Sequence, residues 1–163
     1  MIRVAILTIS DSAASGMRED RSGPALYQRC QELNWSVSAR SVVPDGEDAI
    51  ASQLKAWADN STASLILTTG GTGVAPRDVT PEATRRIIDR EIPGIGELMR
   101  MKGLEQTKFS VLSRGIAGVR KATLIVNLPG APLGALHSLA VIEDVLPHLV
   151  DLIEGRTEHC ANK

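Results

Sequence analysis

Asp45 and Asp78 each follow an apolar, β-rich run by a few residues. Asp45 lies in Pro44-Asp45-Gly46, and Asp78 lies in the polar stretch after Ser64–Thr69. Carboxylates brought together at such points suit Mg²⁺, which takes one or two of them and fills its shell with water and substrate phosphates. Taken singly, each Asp is also an ordinary turn former or helix cap.

The segment between them is the most informative in the chain. Thr68-Thr69-Gly70-Gly71-Thr72-Gly73 places three glycines in four residues. Glycine leaves backbone N–H groups uncovered and tolerates positive φ, both of which a close anion cradle needs. Thr69 and Thr72 add hydroxyls, and a helix opening at Thr80-Pro81-Glu82 adds its positive end. No Gly-Lys-Ser/Thr ends the loop, so it is not a nucleotide P-loop, and it does not match Gly-x-Gly-x-x-Gly. A tight structural turn is the alternative. The attached Arg77-Asp78 tilts the reading toward anion or metal–phosphate binding. Pro129-Gly130-Ala131-Pro132-Leu133-Gly134 either frames a ligand or turns the chain. Ser113-Arg114-Gly115 offers a hydroxyl and a guanidinium to a phosphate, or forms a surface hairpin. His137, His148 and His159 are spaced as surface or interface residues. No Gly-x-Ser-x-Gly elbow or nucleophile–His pair occurs. An enzyme built this way takes its nucleophile from the substrate.

The elements that must position these residues alternate. Ile2–Ile9 is a strand, followed by a polar stretch from Ser10 to Gly23. Pro24 opens a helix to about Asn34, and Ser36–Val43 is a second strand. A helix over Glu47–Asp59 and a central strand over Ser64–Thr69 come next. Thr80 caps a helix whose buried face includes Ile87 and Ile88. Residues near Ile95–Gly103 are helical, Phe109–Leu112 are extended, and Ala122–Leu128 is a strand. A final helix spans about Leu133–Ile153, with Leu136, Leu139, Ala140 and Val150 at roughly helical spacing. This alternation predicts an α/β fold, a mainly parallel sheet with helices on both faces. Ligands in such sheets bind beyond the C-terminal ends of the strands. Ser10-Asp11, Pro44-Asp45, the Gly70 loop and the Pro129 loop all fall there. If the strands before Asp45 and Asp78 are neighbours, the two carboxylates meet.

Composition narrows the class. The 163 residues suffice for one domain over 1–163 with a tail from about 155. Lys and Arg number 18 against 19 Asp and Glu, which excludes the basic footprint of a nucleic-acid binder. The four aromatics, Tyr27, Trp35, Trp57 and Phe109, are scattered and offer no base-stacking platform. Cys30 and Cys160 form no Cys-x-x-Cys pair, as expected of one core thiol and one tail thiol in a reducing compartment. No apolar run reaches a membrane span or a signal-peptide core, so a soluble cytoplasmic protein without membrane contact is expected.

Thr68–Gly73 followed by Pro76-Arg77-Asp78-Val79-Thr80-Pro81-Glu82-Ala83-Thr84 resembles the signature of the molybdopterin adenylyltransferases, the MogA/MoaB proteins and the G domain of gephyrin. Ser10-Asp11, Asp20-Arg21-Ser22-Gly23-Pro24, Val43-Pro44-Asp45, Pro93-Gly94, Leu112-Ser113-Arg114 and Asn127-Leu128-Pro129-Gly130 match in the family's order, from Ile2 to about Glu154. The resemblance implies a three-layer α/β/α sandwich, a homotrimer, and a role in molybdenum cofactor biosynthesis. It implies Mg²⁺-dependent transfer of AMP from ATP to molybdopterin, with pyrophosphate released and hand-over of the product to a molybdenum-insertion protein. By matching motif, Asp45 and Asp78 become the catalytic and metal-binding residues. Ser10, Asp11, Thr69, Gly70, Gly71, Thr72, Gly73, Arg77, Ser113, Pro129, Gly130 and Gly134 become substrate-binding, with Arg114 and Glu97 as weaker candidates. A non-catalytic, molybdopterin-binding trimer is the alternative within the same family.

Overall fold

The computed structural model describes residues 1–156; His159 and Cys160, singled out above, lie outside the described residues. Three strands are apolar almost throughout and are covered on both faces: β1 (Arg3–Ile9), β3 (Leu65–Thr69) and β6 (Thr123–Leu128). The second strand, β2 (Ser36–Val43), alternates between exposed and half-buried residues and forms an edge. Two short strands, β4 (Arg90–Glu91) and β5 (Ala117–Arg120), complete a six-stranded sheet of order β2-β1-β3-β6-β5-β4. The first four strands are parallel, while β5 and β4 are antiparallel additions.

Period-two alternation along each strand divides the core in two. Val4, Ile6, Leu65, Leu67, Leu124 and Val126 face one layer, with Leu26, Leu139 and Leu146 among its helical partners. Ala5, Leu7, Ile9, Ile66 and Ile125 face the other, against Ile50, Leu54, Ala83 and Ile87. Helices α2 (Ser22–Glu32), α5 (Pro93–Gly103), α6 (Pro132–Ile142) and α7 (Leu146–Ile153) cover the first face. Helices α3 (Glu47–Asp59) and α4 (Thr80–Ile87) cover the second. The three-layer α/β/α sandwich expected from the alternation is the architecture observed. The buried Cys30 is a core thiol, and its burial pushes the thiol pKa up to about 12.

Several local expectations are corrected. Ser10–Gly23 is not wholly irregular: Ser10 caps a single turn, α1 (Asp11–Ala14), by accepting from the Ala13 N–H at 3.2 Å. Helix α2 starts at Ser22, ahead of Pro24, because the Asp20 carboxylate accepts from the Gly23 N–H at 3.0 Å and fixes the first turn. Thr80 does not cap α4; its hydroxyl is drawn to the Gly70 carbonyl at 2.9 Å. Phe109–Leu112 belongs to a 3₁₀ turn over Lys108–Leu112, with the Thr107 hydroxyl accepting from the Phe109 N–H.

The stretch after Ser113-Arg114-Gly115 holds β5, paired with β6 through a turn at Lys121, whose φ is +51°. The final helix is two helices bent by 67°. Pro147 stands in the first turn of α7, and without an N–H it cannot continue the ladder from α6. The buried face of α6 is Ala135, Ser138, Leu139 and Ile142, which leaves Leu136 half-buried and Ala140 exposed. Among the described residues, no single helix is long and apolar enough to cross a membrane.

Candidate active site

The C-terminal ends of β1, β2, β3 and β6 lie on one rim, and their loops enclose a cleft of about 620 Å³. Asp45 and Asp78 both line it. The premise for their meeting is corrected, however: the strands before them are not neighbours, since β1 lies between β2 and β3. The glycine loop bridges the gap by folding over the end of β1. A Cβ on Gly71 would stand 3.4 Å from both Asp45 Oδ1 and Ile9 Cγ2.

Gly70 and Gly71 have φ of +108° and +66°, so the positive φ expected of the loop is present at these two positions. At Gly70 a Cβ would also run into the Ile9 carbonyl oxygen. Gly73 serves differently: a Cβ there would sit 2.7 Å from Asp78 Oδ2. The Gly70 N–H is spent on the Leu128 carbonyl at 3.2 Å, whereas the Gly71 N–H has no acceptor among the described residues. Thr80 donates its first-turn N–H to the Gly71 carbonyl at 3.1 Å, so α4 closes the loop from behind. The helix starts that open onto the cleft are those of α2, at Ser22, and α6, at Pro132.

A buried polar chain fixes this floor. Asn127 donates to the Thr68 and Thr84 hydroxyls at 3.1 and 3.0 Å and accepts from the Ile116 N–H at 3.3 Å. Thr69 donates to the Pro129 carbonyl at 2.7 Å, which ties the Gly70 loop to the Pro129 loop.

Asp45 is locked by a reciprocal clasp. Its Oδ2 accepts from the Asp11 N–H at 2.9 Å, and Asp11 Oδ1 accepts from the Asp45 N–H at 2.9 Å. Burial pushes the Asp45 carboxyl above its ordinary pKa. The Asp11 N–H opposes that shift, the Asp11 charge adds to it, Arg77 opposes it and Asp78 adds to it. The charge of Asp78, the other catalytic candidate, thus reaches Asp45 across the cleft.

The structure divides the remaining candidates. Ser10, Thr69, Gly70, Gly71, Arg77 and Gly130 share the first cleft. Ser113, Pro129 and Gly134 line a second pocket of about 380 Å³, and Ala131 borders both. Asp11 lines neither and is tied to Asp45 by the clasp, while Thr72 is buried and a Cβ on Gly73 would meet Asp78. Glu97 is exposed and lines neither pocket.

Arg18 in the first cleft and Phe109 and Gln106 in the second were not site candidates from sequence; Asp20 and Arg21 entered only as part of a matching segment, and His137 only as a surface or interface residue. The Asp20-x-x-Gly23 capping pattern carried a signal for the first group. The second group comes from three separated elements and had none.

Among the described residues, no three His, Cys, Asp or Glu side chains form a metal set. A pair of carboxylates facing a phosphate-sized cleft fits Mg²⁺ held partly by substrate, and does not fit a protein-only cage.

The family described as "Probable molybdopterin binding domain" matches residues 5–148. The chain is 41% identical over 156 residues to a molybdopterin adenylyltransferase of Helicobacter pylori, covering 94% of this chain and 89% of that protein. It is 42% identical over 154 residues to the molybdenum cofactor synthesis protein cinnamon of Drosophila melanogaster, covering 93% of this chain but 26% of that longer protein. The crystal structure of the molybdopterin biosynthesis enzyme MoaB from Thermus thermophilus superimposes with a TM-score of 0.90 at 50% identity, covering 95% of this chain and 98% of that one. With residues 5–148 matched and near-complete coverage of its adenylyltransferase relative, the chain belongs to the molybdopterin adenylyltransferase family of molybdenum cofactor biosynthesis enzymes.

Proposed function

We propose that this chain transfers the adenylyl group of ATP to molybdopterin in a Mg²⁺-dependent reaction. The terminal phosphate oxygen of molybdopterin attacks the α-phosphorus of ATP. The bond from that phosphorus to the bridging oxygen breaks, and pyrophosphate leaves with the electron pair. The observation that carries this reading is the pairing of two pockets across Ala131: one with Asp45, Asp78 and the glycine loop, the other floored by Ser113 and Asn127.

The first cleft suits the nucleotide phosphates. Arg18, Arg21 and Arg77 face anions from its rim, the Gly71 N–H offers a backbone donor, and Asp45 with Asp78 would hold Mg²⁺. When bound, Mg²⁺ neutralises charge on the phosphates and on the departing pyrophosphate. The second pocket suits a flat, polar heterocycle, with Phe109, Met99 and Leu133 as apolar walls and Ser113, Gln106 and His137 as edge partners. No protein nucleophile is required, so the chain's contribution is alignment and charge placement.

The intact Pro76-Arg77-Asp78-Val79-Thr80-Pro81-Glu82 segment favours catalysis over a binding-only role. Phe109, Val111 and Leu112 are 64%, 59% and 48% exposed, and this apolar surface supports burial against further copies in a trimer. Release of the product to a molybdenum-insertion protein in the cytoplasm completes the proposed role.

Incubating the protein with molybdopterin, ATP and Mg²⁺ should yield adenylyl-molybdopterin and equimolar pyrophosphate, resolved by chromatography. Molybdopterin binding without either product would establish the binding-only reading instead.

A further inference from the structure

We propose that Arg114 is a positioning residue that holds the Asp78 loop at a fixed place relative to the second pocket. This inference rests on the adenylyl-transfer reading above. All three guanidinium nitrogens of Arg114 are committed to protein oxygens. Nε donates to the Gly73 carbonyl at 2.7 Å, and one terminal nitrogen donates to the Asp78 carbonyl at 2.6 Å. Both terminal nitrogens also reach the Glu82 carboxylate, at the start of α4. Four of its five N–H donors are given to these oxygens, which leaves one for the phosphate contact considered from the sequence.

The bonds span the loop that carries Asp78. Gly73 opens the loop and Asp78 closes it, and one planar fork ties both carbonyls to the helix that follows. Within the loop, only the Ala75–Asp78 contacts restrain the carboxylate: the Ala75 N–H to Oδ2 at 2.9 Å, and the Asp78 N–H to the Ala75 carbonyl at 2.9 Å. The main chain of Arg114 adds a further tie, its N–H donating to the Thr72 carbonyl at 2.8 Å.

The preceding residue, Ser113, lines the second pocket. Arg100 braces it from the far side by donating to the Ser113 and Gly115 carbonyls at 3.4 and 3.1 Å. One peptide therefore joins the floor of the second pocket to the loop that presents Asp78 to the first. In-line attack between substrates held in two pockets depends on that spacing, and a misplacement of about 1 Å is worth on the order of 100-fold in rate. A lysine keeps the charge but cannot fork across two carbonyls and a carboxylate.

The test compares Arg114→Lys and Glu82→Gln with the unaltered protein. Three quantities are measured: turnover, molybdopterin affinity, and calorimetric binding of Mg²⁺ with α,β-methylene-ATP, which cannot be cleaved where the reaction occurs. Arg114→Lys should lower kcat at least tenfold and weaken Mg²⁺–nucleotide binding at least fivefold, with molybdopterin affinity within twofold. Glu82→Gln, which unanchors the fork without removing it, should move the same quantities in the same direction by less. Normal kcat and normal Mg²⁺–nucleotide binding in either folded variant overturns the inference. So does a loss confined to molybdopterin affinity, which would make Arg114 a substrate contact. If the unaltered protein binds both ligands but forms no product, adenylyl transfer fails. The calorimetric comparison then still decides whether Arg114 sets the Asp78 loop.

Discussion

Asp45→Asn separates what the Asp45 carboxylate does for the reaction from what it costs the fold. Asp45 is half-buried, and its Oδ2 accepts from the Asp11 N–H at 2.9 Å. An asparagine keeps one carbonyl oxygen for that donor, so the clasp survives with a neutral acceptor. Losing the charge assistance costs about 1 kcal/mol. The opposing effect comes from burial, which pushes the Asp45 carboxyl above its ordinary pKa. With the folded pKa raised, the native state binds more protons than the unfolded state across the window just above the ordinary carboxylate range. Stability therefore falls as pH rises through that window, and at neutral pH the full penalty is in place.

Asparagine carries no such penalty. Relief of burial opposes the lost charge assistance, so the variant should lose no more than about 1 kcal/mol at pH 7, or roughly 2–4 °C in Tm for a chain of this length. Turnover is a different matter. Removing one of two carboxylates that face the phosphates should lower kcat at least about 100-fold, equivalent to roughly 2.7 kcal/mol of transition-state stabilisation. Thermal melts at pH 7 and pH 4, paired with the adenylylation assay, read both sides. Stability relative to the unaltered protein should be more favourable to the mutant at pH 7 than at pH 4, where the native carboxyl is more protonated. Full turnover by the variant, or a loss of more than about 2 kcal/mol at pH 7, would refute the reasoning.

Two other substitutions test the floor of the site. Gly70→Ala should cost at least about 1–2 kcal/mol for its backbone conformation alone, and more because the new methyl meets the Ile9 carbonyl. Gly16→Ala, at φ +75° with nothing within 4 Å, should incur only the backbone cost, so equal urea midpoints for the two variants would count against the close-approach argument. Asn127→Leu removes three hydrogen bonds from a side chain that is 1% exposed. It should lower the unfolding free energy by roughly 2–4 kcal/mol with an unchanged m-value, and a shift under 1 kcal/mol would show that the buried chain is dispensable.

The layers and the rim were legible because continuous apolar strands, alternating helices and loop glycines are local signals. Leu65–Leu67 and Leu124–Val126 announce buried parallel strands from their own residues. Strands β4 and β5 escaped because Arg90–Glu91 and Ala117–Arg120 are short, and pairing decides their conformation. The break before α7 was written in Pro147, but the apolar run through Ile142, Val145 and Leu146 masked it. At the site, sequence placed Asp45 and Asp78 on one rim through the C-terminal ends of their strands, but the condition set for their meeting does not hold, because β1 separates those strands. What joins them is the reach of the glycine loop across β1, a tertiary fact with no local signature. Arg114 shows the same limit. A guanidinium beside a serine reads as an anion ligand until the four oxygens around it are seen.

That fork also bears on how a chain of net charge −1 can handle two anionic substrates. A surplus of exposed lysine would attract phosphates without arranging them. In this fold, part of the positive charge is withdrawn from solvent-facing duty and spent on geometry, with Arg114 on the Asp78 loop and Arg100 on the Ser113 segment. Arg18, Arg21 and Arg77 remain at the cleft, opposite Asp45 and Asp78. The carboxylates temper the cationic rim and leave a gap in charge that a divalent cation and a polyphosphate can fill together. On this view nucleotide alone should bind weakly and Mg²⁺–nucleotide much more tightly, because bare phosphates would face two aspartates. Tighter binding of α,β-methylene-ATP in EDTA than in Mg²⁺, measured by calorimetry, would reverse that logic and assign the aspartates a role other than holding the metal.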